Sequence, residues 1–271
     1  MDSSSSITRR IFLFLAGGIL AKLGLVRAAD EETKKQAISA NDIMRRMAET
    51  YKRCKSYQDS GDVTTIFHHK DGKSHTDSRP FTTAFVRPDQ FRFEFKSSFN
   101  GTEWHRYIVW ASGKDVRTWW DIRSKLEHSE SLSSGLAGAT GVSGGSAHVV
   151  PALLLPDEVT GRGLTNLSEL SRLDDADLGG NPCFRIQGKL IIKIPQRERD
   201  EHRQRVQKLT GRLPEESEHG PTVIWIEKFK YLIRCIEEKV QFESFSTERT
   251  TEYDPLLNSQ IAQKQLEFGI E

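Results

Sequence analysis

Residues Gly141-Val142-Ser143-Gly144-Gly145 fit the pattern G-x-S-x-G, the mark of a serine-hydrolase nucleophile. In such enzymes the serine sits on a strained turn between a strand and a helix, and the strain exposes its hydroxyl. That geometry needs a strand before the serine, and the preceding GLAGAT has no strand pattern. It also needs a later acid and histidine. Two of the later histidines, His202 and His219, lie in a strongly charged stretch where solvent dominates. A flexible Gly/Ser hinge is the stronger reading of this segment, and a hydrolase using Ser143 the weakest of three functional classes.

The other groups capable of chemistry are sparse. His68 and His69 are adjacent in an alternating stretch, so they point to opposite faces. His69 and His75 flank a turn and can meet across it, but two imidazoles without a third ligand do not make a metal site. Asp174, Asp175 and Asp177 lack the glycine and closing glutamate of a calcium loop, and read as a turn that caps a strand. No H-E-x-x-H, P-loop or dinucleotide fingerprint occurs, so neither a metal nor a cofactor is expected. Cys54, Cys183 and Cys235 form no C-x-x-C. Their spacing selects no disulfide, and three small buried hydrophobes is the simpler reading.

Aromatic residues form the strongest constellation. Phe91, Phe93 and Phe95 alternate with Arg92, Glu94 and Lys96, and Trp104, Tyr107, Trp110, Trp119 and Trp120 crowd the next two strands. Large aromatics on one face of a bent sheet build either a packed core or an apolar ligand cavity. The segment Val149-Val150-Pro151-Ala152-Leu153-Leu154-Leu155 is apolar enough to cover that face, and the Gly/Ser run before it lets it move. The expected cavity lining is Phe91, Phe93, Phe95, Trp104, Ile108, Trp110 and Trp120 from the sheet, with Leu153, Leu154 and Leu155 from the cover. Strand parity decides which of them face inward.

The elements that must position these residues follow from periodicity. Ile43, Met44, Met47, Ala48 and Tyr51 recur at helical spacing after Asn41-Asp42. From Asp59 the period drops to two. Asp71-Gly72, Pro88-Asp89, Asn100-Gly101 and Gly113-Lys114 then separate five antiparallel strands. Residues about 131–180 read as a helical lid insertion, and strands resume at NPCFRIQGKLIIKI. The charged run about 196–220 reads as a solvated excursion. PTVIWIEK and YLIRCIEE make a hairpin turning at Lys228-Phe229-Lys230, and a short terminal strand is expected near KQLEFG. The fold class is mainly antiparallel β with α: one strongly bent half-barrel sheet of about nine to eleven strands, with helices over the concave face.

Residues 1–28 carry Arg9-Arg10, an apolar run from Ile11 to Leu25 and small residues ending at Ala28, and read as a twin-arginine-type signal peptide. Residues 29–271 then form a single domain in the periplasm or another exported compartment. The whole chain has a formal net charge of +1, and removing the leader takes more bases than acids. Nothing there favours nucleic acid.

Four segments resemble the LolA-like superfamily: MAETYKRCKSYQDSGDV, FTTAFVRPDQFRFEF, VWASGKDVRTWW and TEYDPLLNSQIAQKQLEF. They match in order and spacing over roughly residues 43–121 and 221–268. The resemblance implies a half-barrel whose concave cavity takes lipid or the acyl chains of a lipoprotein, without covalent chemistry. It also implies that Arg87, in the R-P motif, contacts the covering helical lid and helps close it. The expected function is an exported carrier of an apolar ligand, possible partners in the envelope included. An envelope structural or signalling domain that binds protein partners is the alternative.

Overall fold

Helix α1, Ala40–Arg53, buries Ile43, Met44, Met47 and Tyr51 along one face, as the 3.6-residue spacing predicts. It opens a computed structural model that describes residues 38–98, 101–160, 163–190, 196–211, 213–215 and 217–270. The expected leader, residues 1–28, lies outside the described residues.

The first strands form a meander: β1 Ser56–His69, β2 Ser74–Val86, β3 Gln90–Ser98, β4 Trp104–Ser112, β5 Asp115–Trp120 and β6 Lys125–His128. Two helices follow, α2 Leu132–Thr140 and α3 Ser146–Leu154, then β7 Leu167–Leu178, β8 Asn181–Leu190 and helix α4 Gln196–Thr210. The chain finishes with β9 Ser217–His219, β10 Thr222–Glu227, β11 Ile233–Phe242, β12 Phe245–Tyr253, β13 Leu256–Leu257 and a single helical turn, α5 Gln263–Leu266. Thirteen described strands form one sheet in the order β6-β5-β4-β3-β2-β1-β12-β11-β10-β8-β7, with β13 on β1 and β9 on β11. Every pairing is antiparallel, and the sheet is open: β6 and β7 are its two edges. The strand β12 lies beside β1, so the two halves of the chain join in the middle of the sheet.

Helix α2 sets which face is concave. A Cβ added at Gly135 would meet Val109, Val116 and Thr118 at 3.3–3.4 Å, so α2 lies directly on that side of β4 and β5. Phe91, Phe93 and Phe95 share this face through their pairing with Ala111, Val109 and Tyr107. Together with Phe81, Phe85, Leu136 and Leu154 they are almost fully buried.

Three expectations need correction. Residues 167–178 are strand β7, not part of a helical insertion. Leu167, Leu170 and Leu173 recur every third residue, which mimics a helix. Two irregularities in the pairing with β8, at Ser168/Ser171 and Leu173/Ala176, reset the side-chain alternation and account for that spacing. Asp174, Asp175 and Asp177 therefore lie within this strand, and only Asp177 serves the turn, accepting the Gly180 N–H at 2.7 Å. Lastly, the expected strand near KQLEFG is the helical turn α5, which packs against β2 and β3. Both of those strands already have two neighbours, so the tail finds no free edge to pair with.

A polar knot lies where α1 meets the sheet. Tyr51 Oη accepts the Ile233 N–H at 3.0 Å, and Tyr57 Oη donates to Asp59 Oδ2 at 2.5 Å. Burial pushes the Asp59 carboxyl up from 3.8 to about 6, against the lowering effect of the Tyr57 hydrogen bond. The folded state thus holds this proton more tightly than the unfolded chain. The associated stability is full below about pH 4 and is lost as pH rises through about 6, a change of about 3 kcal/mol. In urea titrations at pH 4 and pH 7, Asp59→Asn should remove that part of the pH dependence relative to the wild type.

Candidate functional site

A cavity of about 360 Å³ lies on the concave face where β1, β2, β11 and β12 pass under the loop between α2 and α3. Its roof is Thr140–Val149, the segment that contains the G-x-S-x-G pattern. Gly144 explains one glycine of that pattern. Its φ is +67°, and a Cβ there would meet Val63 Cγ1 at 2.7 Å. The roof therefore sits on β1 with no room for a side chain.

Ser143 is fully buried. Its hydroxyl donates to Thr140 O at 3.3 Å and accepts the Ala147 N–H at 3.2 Å, joining the end of α2 to the first turn of α3. The residues before it are helix α2, not a strand. The hydroxyl is spent bridging the two helices, which is not the geometry of a nucleophile elbow.

The cavity walls change character along the strands. At one end are Phe67 of β1, Val240 and Phe242 of β11, and Phe245 of β12. Phe242 and Phe245 stack at 4.4 Å, and Phe67 stacks on His75 at 4.4 Å. His75 in turn meets His69 across the hairpin, Nδ1 to Nε2 at 3.1 Å. Further in, alternate residues of β12 present Thr247, Arg249, Thr251 and Tyr253 to the cavity, facing Thr65 and Arg79. Arg79 pairs with Asp77 and donates to Val142 O at 2.9 Å. Arg249 lies 3.6 Å from Glu238. Burial holds the Tyr253 phenol well above its ordinary range, so it stays protonated.

The sequence-predicted residues divide into two sets. Phe91, Phe93, Phe95 and Trp120 face the helices, in a continuous run of ring contacts from Phe81 through Phe93, Phe95 and Tyr107 to Trp120 at 5.5–6.2 Å. Leu153, Leu154 and Leu155 are buried with them. None of the seven lines the 360 Å³ cavity. Phe91 and Leu155 border a second hollow of about 310 Å³, near Asp89, Lys114 and Glu130. Trp104, Ile108 and Trp110 belong to the opposite parity of β4 and lie on the outer face. Trp104 is half exposed, and the Trp110 indole donates to Leu266 O of α5 at 2.6 Å. They cannot line a concave cavity, because one residue of register moves a side chain through the sheet.

The residues that do line it were missed. Phe245-Ser246-Thr247-Glu248-Arg249-Thr250-Thr251-Glu252-Tyr253 is polar on both faces and gives no apolar alternation. The available signal was the reverse of the usual one: a long polar strand in the middle of a sheet needs a reason for its inward threonines and arginine.

Arg87 joins the roof to the rest of the fold. Its Nε donates to Cys54 O at 2.7 Å, and Nη2 reaches Lys52 O and Leu154 O at 2.7 Å and Tyr51 O at 3.3 Å. The three cysteines are buried free thiols, and burial pushes Cys235 up to about 12. Among the described residues no cluster of three or more His, Cys, Asp or Glu is placed to hold a metal, and no helix is long and apolar enough to cross a membrane.

No family model matches the chain, and no curated protein matches it. Solved structures similar to it include the lipoprotein LppX of Mycobacterium tuberculosis, at 12% identity over 81% of this chain and 95% of that one, TM-score 0.38. A putative outer membrane lipoprotein-sorting protein domain from Vibrio parahaemolyticus is similar at 9% identity over 84% and 95%, TM-score 0.36. A LolA superfamily protein from Nitrosomonas europaea is similar at 11% identity over 85% and 98%, TM-score 0.30.

Replacing Ser143 with alanine removes the acceptor of the buried Ala147 N–H and should cost about 1 kcal/mol in thermal or urea unfolding. Any ester hydrolysis by the purified chain should be the same before and after the change. Loss of a measurable activity in that variant would restore the nucleophile reading.

Proposed function

We propose that this chain binds one lipid in the concave cavity beneath the α2–α3 loop, as a non-catalytic carrier. The observation that supports this most directly is the cavity itself, with an apolar end at Phe67, Val240, Phe242 and Phe245. Its volume of about 360 Å³ is near the lower end of the ~300–1,000 Å³ range of small-molecule sites. One acyl chain suits that space better than the several chains of a lipidated protein. Each buried methylene contributes about 0.8 kcal/mol, enough for a single chain to bind without covalent chemistry.

In this reading α2 and α3, residues about 131–160, are the lid, and Arg87 is its latch through Leu154 O. Leu153, Leu154 and Leu155 seat the lid on Phe91, Phe93 and Phe95 rather than touch the cargo. Residues 1–28 direct the chain out of the cytoplasm, and lipid trafficking in the envelope is the process it serves. The competing reading, an envelope domain with a filled core that binds protein partners, draws on the solid packing around Phe93. It leaves the cavity at β12 without a purpose.

Titration of the full chain with the neutral fluorophore N-phenyl-1-naphthylamine should give saturable binding, and gentle native mass spectrometry should find a co-purifying lipid. Absence of both would sink the carrier reading. Arg87→Ala should speed amide exchange across Ser146–Leu154 and raise the probe's dissociation rate about tenfold, which corresponds to about 1.4 kcal/mol.

A further inference from the structure

The cavity is not uniformly apolar, and its polar part is unbalanced in one direction. Three of its buried polar atoms, Arg79 Nε, Arg249 Nε and Tyr253 Oη, have no hydrogen-bond partner among the described residues. Tyr253 is 5% exposed. Leaving such groups unsatisfied is costly, and buried polar atoms without partners call for an explanation. All three can donate. Of the nearby carboxylates, Asp77 pairs with Arg79, and Glu238 lies 3.6 Å from Arg249. These three unspent donors are suited to an oxygen acceptor.

The two guanidinium groups also come to the same place. Arg79 reaches Val142 O at 2.9 Å, and Arg249 Nε lies 3.7 Å from a Cβ built on Gly144. Both stand under the 142–144 turn of the roof, with Tyr253 further along the same face of β12. The apolar rings of Phe67, Phe242 and Phe245 lie toward the other end of the same strands. Guanidinium donors of this kind are suited to carboxylate and phosphate oxygens.

We propose that the cargo is a single-chain amphiphile with an oxygen-acceptor acid head, a carboxylate or a phosphate. Arg79, Arg249 and Tyr253 hold the head beneath the 142–144 turn, and the chain runs toward Phe67, Phe242 and Phe245. This inference rests on the lipid-binding reading of the same cavity and adds the chemistry and direction of the ligand.

The test is displacement of N-phenyl-1-naphthylamine from the full chain by palmitate, hexadecyl phosphate and hexadecylamine. One or both acids should compete at least tenfold better than the amine, and their order identifies the head. Tyr253→Phe, and separately Arg249→Met combined with Glu238→Gln to keep the pair neutral, should weaken the better acid about tenfold relative to hexadecylamine. Tyr253→Phe should also melt no lower than the wild type without ligand, because it removes an unsatisfied hydroxyl. A residue with a merely structural hydroxyl would lower the melting temperature instead. Equal competition by acid and amine, or acid binding unchanged in both variants, would overturn the inference. Fluorophore binding with no head-group preference would remove this inference alone, whereas no fluorophore binding together with no co-purifying lipid would remove the cavity reading with it.

Discussion

Helices end in carbonyl groups that their own backbone cannot satisfy, and two of the helices here end against the sheet. The Arg87 guanidinium takes up this burden for both. It collects Tyr51, Lys52 and Cys54 carbonyls from the end of α1 and the Leu154 carbonyl from the end of α3. A lysine could not span four acceptors in this way, because it lacks the planar fork. With one side chain, the end of β2 fixes where the first helix stops and where the covering helix comes to rest. The packing of Phe91, Phe93 and Phe95 under Leu154 and the roof over β12 both depend on that placement.

Much of the sheet was legible in the sequence, and the reasons are local. Turn pairs such as Asp71-Gly72 and Gly113-Lys114 break the alternation where the chain reverses. The phenylalanines of β3 alternate with charge because one face packs against the helices and the other carries the Arg92–Glu94 pair. Legibility failed where a single residue of offset decides the outcome. Trp104, Ile108 and Trp110 alternate as well as Phe91, Phe93 and Phe95 do, but nothing in an isolated strand says which parity faces the helices. The partner strand decides, and the pairing of Phe95 with Tyr107 puts the tryptophans of β4 outside. At β7 two irregularities convert a strand's period of two into an apparent period of three.

The cavity was least legible because its lining is not hydrophobic in the ordinary pattern. Core strands announce themselves by apolar alternation. A strand that lines a mixed cavity carries threonine and arginine inward and charge outward, and resembles a surface strand. In β12 the inward residues after Phe245 are Thr247, Arg249, Thr251 and Tyr253. Only the position of β12 in the centre of the sheet, between β1 and β11, shows that these side chains lie under cover.

Arg79 belongs at once to the cavity wall and to the roof, since the guanidinium that borders the cavity also holds the Val142 carbonyl. In the proposed carrier, a ligand head held by this guanidinium would be thermodynamically coupled to the loop that the same side chain holds. Whatever factor a bound molecule applies to the opening of the loop, the opening of the loop applies to the molecule's affinity. A second protein that grips residues 141–145 would then change how tightly the cargo is held without touching it. In the proposed carrier, loading and unloading would be the two directions of one equilibrium that the state of the loop shifts.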